Sequence, residues 1–366
     1  MSDTIYDFAV VGAGIAGASI ASELAGSGST VMLEAEDRPG YHATGRSAAF
    51  WEECYGGPEI TPLTLASGPF LRENSFLSPR GALYIGRDAD EVALDRFEER
   101  FGPTDATFRR LGRTELADRI AGLRAEWTGG IWQPDCADID VAALHEAYLK
   151  GAKAGRAALK TRFRLARAHR TGGVWELFSE AGETVRAAVL VNAAGAWADR
   201  VGELAGARPK GIVPLRRTVV QLRTDPAPPR DQPLVLDISG KFYFKPESGK
   251  LWLSPHDETP SEACDAAPEE LDVALAIERL KDVLEVHLEG VERRWAGLRS
   301  FTADRLPVFG PDREVEGLFW FAGQGGYGIQ TSPASAHVAA RMLTGEAATG
   351  AYADVDTSPY RAARFP

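Results

Sequence analysis

Apolar and polar positions follow different rhythms along this chain. Near the start, Phe8-Ala9-Val10-Val11 is a continuous apolar run, the pattern of a strand buried on both faces. Residues 18–26 repeat small and apolar residues at helical spacing. Residues 29–33 form a second apolar run that ends in Glu34. The middle has another texture. Residues 174–178 and 184–186 flank the turn Glu180-Ala181-Gly182-Glu183 and predict a hairpin, with an apolar strand at 187–191. Residues 213–223, 234–238, 242–245 and 251–253 are short strand-like runs broken by Pro- and Gly-bearing turns, so they predict an antiparallel sheet. Residues 82–85 and 130–133 read as further strands. Residues 140–153 predict a helix capped by Asp138 or Asp140. Residues 268–288 predict a long amphipathic helix with Leu271, Leu275, Ile277 and Val283 toward its apolar side. Near the end, 318–322 reads as a buried strand and 333–343 as a helix.

Between the first strand and the first helix stands Gly12-Ala13-Gly14-Ile15-Ala16-Gly17. Gly12 permits a tight turn, Gly14 lets backbone N–H groups approach a pyrophosphate, and Gly17 lets helix and strand pack closely. Ile15 and Ala16 open a helix whose N-terminus favours anions. Glu34, followed by Ala35, can accept hydrogen bonds from ribose hydroxyls. Together these predict a dinucleotide site, and the fingerprint by itself fits NAD and FAD alike. A second glycine-rich turn, residues 323–332, precedes the last helix. FAD is long enough to touch both turns, with its ADP half on residues 12–17 and its ring against residues 323–330. The positive end of the helix beginning near Ser332 then faces the charge of a reduced flavin. Two other stretches of small residues suit a flat ligand. Thr44-Gly45-Arg46-Ser47-Ala48-Ala49 also reads as a helix start capped by Thr44 or Ser47, and Ala193-Ala194-Gly195-Ala196-Trp197 as a plain strand-to-helix turn.

At 366 residues the chain is long for one core and suggests two domains. A net charge of −11 argues against nucleic acid as a partner. No apolar run is long enough to span a membrane, and residues 1–6 lack the basic start of a signal peptide. Cys54, Cys136 and Cys264 are scattered, with no metal-ligand spacing, so no metal is expected; they read as reduced thiols in a cytoplasm. His145, alone in its predicted helix, reads as a surface or packing residue and not as a ligand.

The combination of residues 10–17, 41–49, 138–148, 187–197, 295–301 and 324–332 resembles the D-amino-acid oxidase superfamily of FAD-dependent oxidoreductases, with D-arginine dehydrogenase as the member most resembled. The resemblance covers nearly the whole chain. It implies an α/β fold like that of glycine oxidase and sarcosine oxidase, in which a Rossmann-like FAD-binding domain carries a mixed, mainly antiparallel-sheet substrate domain. The FAD-binding segments are expected at 1–80, 138–212 and 298–366, and the substrate-binding segments at 81–137 and 213–297. It implies cofactor contacts from Gly12, Gly14, Ile15, Ala16, Gly17, Glu34 and Ala35, from Thr44, Arg46, Ser47 and Ala48, from Ala194, Gly195, Trp197 and Gly297, and from Gly325 through Gln330 (Gly326, Tyr327, Gly328, Ile329). It implies hydride transfer from the Cα of a D-amino acid to the flavin, giving an imine that hydrolyses to a keto acid and ammonia. Arg299 matches the arginine that holds the substrate carboxylate, and Arg216 a second one. Tyr55 and Tyr243 match tyrosines flanking the substrate, and Gln330 and Gly326 lie beside substrate or flavin.

Departures from D-arginine dehydrogenase shape the substrate expectation. The acidic residue that follows its Ser-Pro-Arg-Pro is absent from Ser78-Pro79-Arg80-Gly81-Ala82. Phe50 and Glu52 replace a histidine and a threonine near the flavin, and Leu234 and Leu236 line the side-chain pocket. An apolar or small D-amino acid is therefore expected, with Glu52 the one acid that offers a basic substrate a partner. Sarcosine oxidases of the superfamily carry a cysteine-linked flavin; residues 299–309 hold no cysteine, so FAD is expected to be non-covalent. The electron acceptor, whether quinone, carrier or oxygen, stays open. So do an oxygen-using glycine or sarcosine oxidase and a flavin subunit of a heteromeric amine dehydrogenase.

Overall fold

The computed structural model describes residues 4–365; residues 1–3, part of the segment read above for a leader, and Pro366 lie outside the described residues. Two large sheets organise the molecule. The first has eight strands. Its centre is Ile5–Val11, which pairs in parallel with Thr30–Leu33 on one side and Thr184–Asn192 on the other. Leu318–Ala322 extends the parallel set, with Val191 opposite Phe319. Three parallel strands thus end at one edge, and each runs straight into a small-residue turn: Gly12 after Val11, Ala193 after Asn192, Gly323 after Ala322. Open parallel sheets bind ligands beyond such carboxyl ends. Ile15–Leu24 and Ser332–Thr344 cover one face, where Ile20, Ala21 and Leu24 share a core with Ala334, Ala336 and Val338. The small alanines let the two helices approach closely.

The second sheet has nine strands drawn from residues 82–133 and 213–301. It is mainly antiparallel, with a parallel pair between Leu234–Asp237 and Ala82–Arg87. Its longest pair is Val213–Asp225 against His287–Phe301, which sets Leu215 opposite Arg299, Arg216 opposite Leu298 and Arg217 opposite Gly297. That last strand runs unbroken across the boundary expected at 298. A small sheet of Phe50–Trp51, Ala137–Ile139 and Leu77–Pro79 packs on both sides, Trp51 and Ile139 with Ile15 and Phe50 with Ala82 and Leu234.

The long helix expected over 268–288 is Glu270–Lys281. Its buried side is Val273, Ala276 and Leu280, while Leu271 is 75% exposed and Leu275 38% exposed. Leu288 belongs instead to the following strand, because pairing with Thr224 satisfies its backbone. The predicted apolar strand at 187–191 is the continuation of the hairpin arm, a single strand Thr184–Asn192. Among the described residues no helix is long and apolar enough to cross a membrane.

Candidate active site

One elongated cleft joins the glycine turns to the second sheet. Its first part is built from backbone. Gly12 holds φ at +99°, and a Cβ there would lie 2.6 Å from the Ala193 carbonyl oxygen. A Cβ on Gly17 would collide with the Gly12 carbonyl, so the helix rests directly on the turn. Gly14 brings no side-chain cap to the helix, whose first turn lines the cleft through Gly14, Ile15 and Ala16. Thr44 does act as a cap, though for a distant helix: its Oγ1 accepts the Ile15 N–H at 2.9 Å. Glu34 turns back to accept the Ala13 N–H at 2.8 Å and that of Glu36 at 3.0 Å. His145, inside Val141–Ala154, places its Nε2 2.9 Å from the Ala13 carbonyl oxygen. Burial holds its pKa below the usual range, so the ring braces the turn as a neutral group. Asp140 caps its helix by accepting the Ala143 N–H at 2.9 Å.

The middle of the cleft is walled by Thr44, Arg46, Ser47 and Ala48 on one side and by Ala194, Gly195 and Trp197 on another. Arg46 donates to the carbonyls of Ala266 and Ala296, at 2.8 and 3.2 Å, and pairs with Asp265, so it ties residues 265–266 across the cleft. A turn too tight for a Cβ at Gly12, a helix start whose first turn opens on the cleft and a flat corridor of small residues fit an elongated dinucleotide with a planar ring.

The far end is built from side chains. Phe50, Tyr55, Arg217, Val219, Tyr243 and Arg299 line it, with Gly325 and Gly326 facing them. Arg299 Nη1 donates to the Tyr55 hydroxyl at 2.8 Å, and Nη2 donates to Glu258 at 2.5 Å. A Cβ on Gly326 would run into the Arg299 guanidinium and lie 3.1 Å from Tyr55 Oη, so only glycine leaves this corner open. Arg217 is 6% exposed. Its Nε donates to the Asp257 carbonyl at 2.9 Å and its Nη2 to Glu258 at 3.4 Å. Burial, reinforced by Arg299, lowers the Arg217 pKa. Burial and these two guanidiniums also drive His256 down to about 3, so it stays neutral. Burial raises the Tyr243 hydroxyl. The far end is an aromatic pocket with a positive wall.

Several expected site residues lie elsewhere. Arg216 faces away from the cleft and pairs with Glu269 and Asp272 on the helix Glu270–Lys281 and its cap. Side chains alternate along a strand, so the register that puts Arg299 and Gly297 at the cleft brings Arg217 there and sends Arg216 to the opposite face. Arg217 and Val219 are lining residues that sequence reasoning missed: alternation puts both on one face, and which face meets Arg299 follows only from the strand register. Ala82, Leu234 and Leu236 do not line the cleft. With Cys136 they form a buried layer behind Phe50, Val219 and Tyr243. Glu52 is fully buried behind the wall, its Oε2 accepting the Tyr84 hydroxyl at 2.7 Å and its Oε1 the Cys54 N–H at 3.1 Å. Burial pushes its pKa up to about 7. It does not line the cleft, so the structure sets it behind the wall and not beside a bound ligand.

Gln330 lines the cleft, yet its amide is engaged with Glu52, Tyr55 and Thr64, which makes it the pin holding residues 52–55 in place. Tyr327 stands outside the lining, with its hydroxyl on the Arg305 carbonyl, and Gly17 stands beneath the first turn. Ala35, Gly297, Gly328 and Ile329 line the cleft as expected.

The family model described as DAO, FAD dependent oxidoreductase, matches residues 7–342. Glycine oxidase of Geobacillus kaustophilus is 28% identical over 359 residues, 92% of this chain and 93% of that protein. The crystal structure of glycine oxidase from that organism superposes with a TM-score of 0.84 at 23% identity, covering 99% of each chain, so the two share a fold. Bovine FAD-dependent oxidoreductase domain-containing protein 1 is 28% identical over 203 residues, 51% of this chain and 41% of that protein. Several such relatives are matched over only about 40% of their own length. The family match covers both glycine turns and the second sheet alike, and the cleft between them fits the cofactor: the chain belongs to the DAO family of FAD-dependent oxidoreductases, with FAD as its cofactor.

Proposed function

We propose that the chain oxidises a small or apolar D-amino acid to its imine, working as a dehydrogenase. The observation that carries this reading is the Arg299–Tyr55 pair at 2.8 Å, set in an aromatic wall at the far end of the cleft. An always-charged guanidinium beside a hydroxyl donor is suited to a carboxylate. Bound FAD supplies the two-electron acceptor for the carbon–hydrogen bond beside the amine. The chain's own residues bind and orient. Arg299 and Tyr55 fix the carboxylate, and Arg217 adds positive charge from the buried side. Phe50, Val219 and Tyr243 enclose the side chain, and the buried layer of Ala82, Leu234 and Leu236 stops them from receding. The pocket therefore takes a short side chain. Tyr243, with its raised pKa, stays a neutral hydroxyl at neutral pH, so the amine releases its proton to water or binds already neutral.

The non-covalent attachment of FAD and the cytoplasmic setting belong to the same proposal. Acid precipitation is expected to release the flavin into the supernatant.

A second reading, oxygen-dependent oxidation of glycine or an N-substituted glycine, has its own support in the match to glycine oxidase along nearly the full length of both chains. Both readings are tested together. The purified protein is mixed anaerobically with D- and L-amino acids, glycine and sarcosine while flavin bleaching is followed. Bleaching by D-alanine or D-valine in preference to glycine supports the first reading. Bleaching by glycine or sarcosine, with peroxide formed in air, replaces it with the second. Bleaching by L-enantiomers alone removes the D-configuration.

A further inference from the structure

The carboxylate seat already holds a carboxylate of the chain itself. Arginine presents a bidentate edge made of Nε and Nη2. On Arg299, Nη2 donates to Glu258 Oε1 at 2.5 Å, while Nε is buried without a hydrogen-bond partner. Glu258 thus fills half of the fork. The same Oε1 also meets Arg217 at 3.4 Å and Arg305 at 2.8 Å, and Oε2 meets Arg305 at 3.1 Å. Arg305, half-exposed and outside the cleft lining, therefore already holds both Glu258 oxygens. The backbone beneath is anchored: Asp257 accepts the Thr218 N–H at 2.7 Å and its hydroxyl at 2.9 Å. Glu258 therefore keeps a two-point partner if its bond to Arg299 is broken. Burial opposes its charge, but the hydrogen bond from Arg305 and the charges of Arg299, Arg305 and Arg217 prevail and lower its pKa, so it is ionised at neutral pH.

We propose that Glu258 is a specificity-determining latch, a resident carboxylate that gives up Arg299 and keeps its two bonds to Arg305 when a substrate carboxylate takes Nε and Nη2 of Arg299. The inference rests on Arg299 being the carboxylate clamp. Its consequence is selectivity. A ligand must bind Arg299 more strongly than Glu258 does, which an ionised carboxylate can do with two parallel bonds and an uncharged amine cannot. Arg217, which touches the same Oε1, keeps the seat positive after the exchange.

The test is calorimetric titration of the FAD-loaded protein with acetate, at constant ionic strength. Glu258→Gln removes the competing charge and is expected to tighten acetate binding on the order of tenfold, about the weight of one charge-assisted hydrogen bond. Arg305→Ala keeps Glu258 but removes its second berth and is expected to weaken binding severalfold. Opposite signs from two neighbouring substitutions are the signature, because simple damage to the loop weakens binding in both. In steady state, Glu258→Gln should lower KM for the amino acid with kcat held. Weaker or unchanged acetate binding in Glu258→Gln overturns the latch, as does tightening in Arg305→Ala. If Arg299→Lys leaves acetate binding intact, the clamp itself is wrong, and the latch falls with it for that separate reason.

Discussion

The two ends of the cleft are made of different material. At the dinucleotide end, the contacts come from backbone and from residues close in sequence: Gly12 to Gly17, with Thr44, Glu34 and His145 bracing them. At the far end, they come from side chains of four separate segments, around Phe50 and Tyr55, Arg217, Tyr243 and Arg299. A site of backbone is tolerant of side-chain identity and intolerant of any added Cβ. A site of side chains depends on which face of a strand each residue occupies.

The sharpest break is expected at the first end. Gly12→Val puts a branched side chain where a Cβ already lies 2.6 Å from the Ala193 carbonyl oxygen, at a φ of +99°. The protein should purify without flavin; a stoichiometric flavin-to-protein ratio would falsify the cradle. At the second end, Arg299→Ala should retain flavin yet lose roughly a thousandfold in kcat/KM, since it removes a desolvated charged partner of the substrate. Loss of flavin from that variant would mean the two ends are not separable.

Arg217 and Arg216 sharpen the contrast further, because they are neighbours on opposite faces. Arg217→Ala should raise KM about tenfold to a hundredfold. Arg216→Ala should leave kcat/KM within about twofold and lower Tm by only a degree or two, as befits a partly exposed ion-pair network. Equal kinetic effects from the two would show that the strand register is wrong.

A separate effect, on stability rather than turnover, concerns the wall behind the pocket. Glu52 has a pKa raised to about 7 by burial, so the folded protein holds its proton where the unfolded chain has released it. Its contribution is fully present below the ordinary glutamate pKa and declines as pH rises toward about 7. Thermal stability should therefore fall between about pH 5 and 7.5, by at most roughly 3 kcal/mol. Glu52→Gln should flatten that decline in a calorimetric Tm series. An unchanged slope would assign the pH dependence to other groups.

Much of this molecule is legible in its sequence. The strand, glycine turn and helix at the start, the second glycine turn and the antiparallel texture of the middle all follow from local periodicity and from the few residues that tolerate a tight turn. The far end was readable only in part. Arg299, Tyr55, Tyr243 and Phe50 were named, but Leu234, Leu236 and Ala82 sit one layer too deep, and Glu52 is sealed off by its own hydrogen bonds. Apolar content tells that a residue is buried, and says nothing of whether it is first or second behind a surface.

By itself, the sequence determined the dinucleotide cradle and the order of elements, because both rest on short-range rules: φ at glycine, period along a helix or strand, and an anion-attracting helix start. Only the tertiary structure decided between Arg216 and Arg217, and only it revealed Glu258 on the Arg299 fork. Those outcomes depend on the pairing of residues 213–225 with 287–301, more than seventy residues apart in parts, where a slip of one residue turns every side chain to the other face.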